Sequence, residues 1–145
     1  MSTVRPYTGT IQRLRAVGLR PTRQRLALGR LLFEGGDRHV TAEKLHGEAV
    51  EAGVRVSLAT VYNALHQFTE AGLLREVVVD PGKSYFDTNT KDHHHFFHED
   101  SGVLDDIPGD AVAMAKMPET PEGSAISRVD APARGRETIS ESEAR

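Results

Sequence analysis

Residues 57–79, SLATVYNALHQFTEAGLLREVVV, change hydrophobic period midway, and that change decides the fold. Ser57 is a preferred helix cap, because its hydroxyl accepts from an otherwise orphaned amide of the first turn. Val61, Leu65 and Phe68 then fall on one face at helical spacing, and Gly72 supplies a stop. Residues 73–79 (LLREVVV) are short and β-branched, which predicts a strand. Residues 84–88 (SYFDT) predict its partner, across a turn at Asp80-Pro-Gly-Lys83.

Upstream, three more helices are predicted. Ile11, Leu14 and Val17 carry the first, over residues 10–17, with Gly18 behind it. Pro21-Thr22 opens a second through Leu26, Leu28, Leu31, Leu32 and Phe33 before Gly35-Gly36. Thr41, followed by Glu43, opens a third through Leu45, Ala49 and Val50 to Gly53. Helices followed by a hairpin give the winged helix-turn-helix order. Residues 57–71 are then the recognition helix and 73–88 the wing. The predicted class is α+β. Residues 1–90 form a winged-helix DNA-binding domain, 91–134 a small α/β dimerisation and sensory module, and 135–145 a disordered polar tail. Within the second module, Phe96-Phe97, residues 103–107 and residues 126–129 are candidate short strands, and residues 111–117 a candidate one or two helical turns.

Charge separates the two parts. Residues 1–33 hold seven arginines and no acid, and the balance to Lys91 is 13 basic against 9 acidic residues. From Asp92 onward it is 5 basic against 12 acidic. A basic front half suits a polyanion, and DNA is the partner the helix order implies. There is no cysteine, which removes disulfides, iron–sulfur clusters, a structural zinc held by four thiolates, and cysteine nucleophiles. No run of 18 apolar residues is present and the first ten residues lack a secretory pattern, so a cytoplasmic location is expected.

The candidate DNA contacts are Ser57, Thr60, Tyr62 and Asn63 in the first turns of the recognition helix. Hydroxyls reach phosphates or bases, Asn can read adenine, and a Tyr ring packs on thymine methyls. Arg20, Arg23 and Arg25, around the start of the second helix, suit phosphates or a narrow minor groove. The second motif is His93-His94-His95. In an extended segment His93 and His95 share a face and His94 points away. Two imidazoles are too few for a tight site, so His39 and Asp87 are the further metal-ligand candidates. Such a set suits zinc, iron(II) or manganese, and the histidine run His93, His94, His95 can also ligate haem. His46, His66 and His98 are read as structural or surface residues. A histidine run can equally be a solvated loop.

These blocks carry a resemblance. Gly18-Leu-Arg-Pro-Thr-Arg-Gln-Arg25, His39-Val-Thr-Ala-Glu-Lys-Leu45, Leu58-Ala-Thr-Val-Tyr-Asn63, Gly82-Lys-Ser-Tyr-Phe-Asp87 and Asp92-His-His-His95 together resemble the ferric uptake regulator family over residues 10–107. Lack of cysteine, the triple histidine and residues 99–107 resemble its iron response regulator branch. That branch senses haem, directly or through the haem synthesis machinery. The resemblance implies a homodimeric DNA-binding transcription regulator with His39, Asp87, His93 and His95 at the sensory site and His93–His95 as the haem-linked motif. It also implies Arg20 at the minor-groove position and Tyr62 in the recognition helix, with Asn63 standing where ferric regulators carry Arg. The haem branch implies release of DNA by the ligand, and metal-corepressed relatives the reverse. The resemblance departs after Ile107, where no further ligand is assigned, and Asp87 is shorter than the Glu usual there.

Other functions are compatible with the same residues. A zinc- or manganese-responsive regulator needs only a different cation. A peroxide sensor would oxidise a bound-iron ligand such as His39 or His93. A metal-dependent hydrolase would need Glu99 or Asp100 as base and an open pocket, but no HExxH spacing supports it.

Overall fold

In the computed structural model, residues 8–80 and 83–138 are described. They form two compact units, divided between Thr90 and Lys91.

The first unit runs α1 (Thr8–Ala16), α2 (Arg23–Phe33), β1 (His39–Val40), α3 (Ala42–Glu51), α4 (Leu58–Glu70), β2 (Arg75–Asp80) and β3 (Lys83–Asp87). Each hydroxyl named in the sequence caps its helix. The side chains of Thr22, Thr41 and Ser57 accept from the amides of Arg25, Lys44 and Thr60. Capping satisfies donors that a helix start otherwise leaves orphaned. Leu14, Leu28, Leu32, Leu45, Val61, Leu65, Phe68 and Phe86 are fully buried and form one core. The three strands order as β1-β3-β2, all antiparallel, so β3 is central. Pro81 and Gly82, the middle of the expected wing turn, lie outside the described residues. Strand β1 was not foreseen. It has only two residues and no period of its own, and exists because it pairs with β3.

The turn from α4 into the wing depends on Gly72. Its φ is +85°, the Leu73 amide donates to the Phe68 carbonyl at 2.9 Å, and its own amide donates to the Thr69 carbonyl at 3.0 Å. These paired bonds close the helix and send Leu74 into the core. A Cβ at Gly72 would meet no atom within 4 Å, so Gly72→Ala isolates the backbone cost. That substitution is expected to destabilise the unit by about 1 kcal/mol. A urea unfolding midpoint equal to wild type would show that the left-handed turn carries no cost.

The second unit contains β4 (His93–His98), β5 (Leu104–Pro108), a 3-10 turn (Gly109–Ala111) and β6 (Pro132–Gly135). β4 is central, antiparallel to β5 and parallel to β6. Residues 111–117 do not form helical turns. Only the 3-10 turn is present, it has no side-chain cap, and Val112 is already extended. Met114 and Met117 are 46% and 47% exposed, so a helix there would have no face to bury. The last strand is Pro132–Gly135, not 126–129. Ile126 is 41% exposed, while Ala131 is held to β4 by an amide bond to His94 Nδ1 at 2.9 Å. Pro132 is tolerated as the first residue of an edge strand. A Cβ at Gly135 would fall 2.2 Å from the Phe96 ring, so any larger residue there would have to displace that ring. The tail expected from Gly135 therefore overlaps β6. The Glu137 amide also bonds the Asp100 carboxylate at 2.9 Å, and residues 139–145 lie outside the described residues.

Candidate metal centre and nucleic-acid interface

Helix α4 presents Ser57, Tyr62 and Asn63 to solvent, with Thr60 half-buried between them. Val61, Leu65 and Phe68 occupy the opposite face, which is why the polar residues point outward. A groove of about 380 Å³ lies beside this helix, lined by Thr22, Gln24, Arg25, Thr60, Asn63 and Gln67. Arg20 and Arg23 are exposed. Arg25 is more constrained: Nε and one terminal nitrogen donate to Gln67 Oε1 at 3.3 and 2.9 Å, and the other donates to the Arg20 carbonyl at 3.0 Å. It ties α2 to α4 and steadies the turn carrying Arg20. The Tyr62 hydroxyl donates to Glu43 Oε1 on α3 at 2.7 Å. That bond holds Glu43 below the usual carboxylate range and raises the Tyr62 phenol. This contact spans 19 residues and had no signal in the sequence.

At the end of the first sheet, Asp87 on central β3 faces His39 of β1 on one side and Arg75 of β2 on the other. Residues directly opposed across strands project to the same face. The His39 Nε2 atom lies 3.3 Å from Asp87 Oδ2, and the Asn89 amide donates to Asp87 Oδ1 at 2.9 Å. Asp87 is fully buried and Arg75 is 4% exposed.

Arg38 positions His39. Its guanidinium donates to Glu48 at 2.8 and 2.6 Å and to the Leu31 carbonyl at 3.1 Å, while its amide donates to Thr88 Oγ1. The Arg38 bonds hold the Glu48 carboxyl below its ordinary range. A depressed carboxyl contributes stability above its unfolded pKa and loses it as pH falls through the folded value. Glu48→Gln is therefore expected to cost about 1 kcal/mol at pH 7 and to flatten the acid limb of the stability curve below about pH 5. Chemical unfolding at about pH 7 and pH 4 measures both, and parallel curves for the two proteins would contradict the assignment.

In the second unit, strand alternation works as expected. The rings of His93 and His95 meet edge to face at 4.5 Å, while His94 turns away to accept the Ala131 amide. Asp106 stands opposite His95 on β5, with Oδ1 at 3.3 Å from His93 Nε2 and 3.6 Å from His95 Nε2. His93, His95 and Asp106 each bring a donor atom within 4.8 Å of the other two. His93 Nδ1 contacts the Lys91 carbonyl. A carbonyl can only accept, so Nδ1 carries the hydrogen, and in the neutral ring Nε2 then presents its lone pair toward Asp106. Two acceptors facing each other require a proton or a cation between them. This donor set fits a divalent metal. Asp106 and Arg75 were not anticipated. Asp106 becomes visible only once the β4–β5 register is known, and Arg75 sits inside an apolar run.

The remaining histidines have local roles. His46 Nε2 contacts the Val56 carbonyl at 3.0 Å, the His66 ring lies 5.8 Å from Phe86, and His98 pairs with Asp105 at 2.7 Å. Glu99 and Asp100 are exposed beyond β4. Among the described residues, no helix is long and apolar enough to cross a membrane.

Comparison with known proteins agrees with this arrangement. The model of the ferric uptake regulator family matches residues 16–124. The ferric uptake regulation protein of Shigella flexneri is 35% identical over 100 residues, 68% of each chain. The ferric uptake regulator of Pseudomonas aeruginosa, solved with manganese, superposes with a TM-score of 0.67 at 26% identity, covering 87% of this chain and 96% of that one. The Vibrio cholerae regulator shares the fold, with a TM-score of 0.68 at 23% identity, covering 88% and 98%. The chain belongs to the ferric uptake regulator family, whose members are metal-responsive transcription regulators that bind DNA and act as dimers.

Proposed function

We propose that this chain is a homodimeric repressor whose operator affinity is set by iron(II), or by manganese(II) or zinc(II) in its place, held by His39, Asp87, His93 and His95 with Asp106 as a further donor. The observation that carries this reading is the convergence of two buried imidazoles on one carboxylate in the second unit. Two imidazoles and a carboxylate leave room for more ligands, and His39 with Asp87 form a second pair of the same chemistry. When bound, the cation would supply a positive centre for these donors. Asp87 and Asp106 neutralise it, and the Lys91 carbonyl keeps His93 in its ligating tautomer.

On the DNA side we assign Ser57, Thr60, Tyr62 and Asn63 to the major groove, and Arg20, Arg23 and Arg25 to the backbone and minor groove. Lack of cysteine and the His93–His95 run support a place with the iron response regulators. We nonetheless take a compact cation over haem as the ligand. His93 and His95 are 5% and 2% exposed, and His94 Nδ1 is already used by Ala131.

The test is selection of duplex sites from a random pool with and without manganese(II), followed by titration of the selected duplex. Manganese is expected to tighten binding at least about tenfold, a coupling of about 1.4 kcal/mol. Equal binding with and without metal, together with a stoichiometric Soret shift and duplex release on adding haem, would overturn the reading in favour of haem.

A further inference from the structure

The buried cation Arg75 has no part in the function described so far. It is 4% exposed and directly opposes Asp87, which has no exposure at all, across the β2–β3 pair. Their Cβ atoms leave the same face of the sheet about 5 Å apart. Asp87 in turn faces His39 on its other side, so one carboxylate stands between a metal-ligand imidazole and a guanidinium. A buried carboxylate without a nearby cation is costly, and arginine is the one side chain that keeps its charge under any solution condition of interest. A second cation arriving at Asp87 must approach that fixed charge.

We infer that Arg75 is a resident counter-cation that balances Asp87 when the site is empty and opposes metal entry when it fills, so that it sets the metal concentration at which the site loads. The inference rests on Asp87 being a ligand, as proposed above. It has two consequences with opposite signs. In the metal-free protein, removing Arg75 leaves Asp87 without its balancing charge and weakens the fold. In the loaded protein, the metal supplies the charge that Arg75 supplied, and the repulsion between them is gone. Charge arithmetic at protein-like screening puts that repulsion above about a tenfold change in affinity. An arginine that only filled space would weaken both states alike.

The experiment compares wild type, Arg75→Met and Arg75→Lys as full-length proteins with zinc(II) as the probe. Arg75→Met keeps much of the side-chain volume and removes the charge. It is expected to melt ~5 °C or more below wild type without zinc and to regain most of that loss at saturating zinc. Its zinc affinity, measured against a chelator, is expected to rise at least about tenfold. Arg75→Lys retains the charge and is expected to bind zinc within about threefold of wild type. If Arg75→Met does not fold alone, folding on addition of zinc is the supporting result, and failure to fold with zinc overturns the inference. Equal melting losses with and without zinc, or zinc binding no tighter than wild type, also overturn it. If wild type and a His93→Ala/His95→Ala protein bind zinc equally, the ligand assignment fails instead, which is a separate result.

Discussion

A His93→Ala/His95→Ala protein is expected to lose manganese or zinc affinity by about a thousandfold and to lose all metal dependence of DNA binding. Both imidazoles present Nε2 toward the same Asp106 oxygen, so the double change removes the two neutral donors and leaves only a carboxylate in that unit. Removing even an outer-shell partner of a metal ligand typically costs about 10–100-fold, and two direct ligands cost more than one partner. The change is also informative about stability. His93 and His95 are almost fully buried, so the substitution leaves polar partners and space behind. A thermal scan without metal separates that structural cost from the binding cost. The first unit, with its own core of Leu28, Leu32, Leu45, Val61, Leu65 and Phe68, is expected to keep its helical circular dichroism. Retention of wild-type metal affinity would remove the second unit from the sensory site.

How much of this was legible beforehand follows from where the information lies. The helix boundaries were readable because a hydroxyl starts and a glycine stops each of α2 to α4 within a few residues of chain, and such signals act locally. The sharing of a face by His93 and His95 was readable for the same reason, since it needs only an extended backbone. Strand β1, Asp106 and Arg75 were not readable. Each owes its position to register: His39 to its pairing with Asp87, Asp106 to its pairing with His95, and Arg75 to its pairing with Asp87. Register is set by a whole hairpin and its neighbours, not by the residue that ends up in the site. The helical turns expected over residues 111–117 and the strand expected over 126–129 did not form, and the structure explains why. Met114, Met117 and Ile126 are largely exposed, so no buried face imposes either element. The donors of the proposed site were thus visible as a list, and the pairings among them were not.

Tyr62→Ala is expected to weaken binding to the selected duplex by about 10–100-fold and to relax base preference at one position of each half-site. The ring stands on the second turn of α4, 36% exposed, flanking the face that buries Val61 and Leu65. Losing the ring and its bond to Glu43 is expected to cost about 1 kcal/mol, and a urea unfolding curve separates that cost from lost DNA binding. The hydroxyl is held by Glu43 at 2.7 Å, and Tyr62→Phe distinguishes the two parts of the side chain. If apolar contact by the ring reads the base edge, Tyr62→Phe keeps most of the affinity. If the Glu43 bond is what orients the ring, Tyr62→Phe and Glu43→Gln lose affinity together. Arg20→Ala gives the contrasting signature. A lost phosphate contact weakens all sequences about equally and lowers the slope of log affinity against log salt by about one. Tyr62→Ala should leave that slope unchanged. A Tyr62→Ala protein that bound at full strength, with its base preferences intact, would remove α4 from the DNA-reading role.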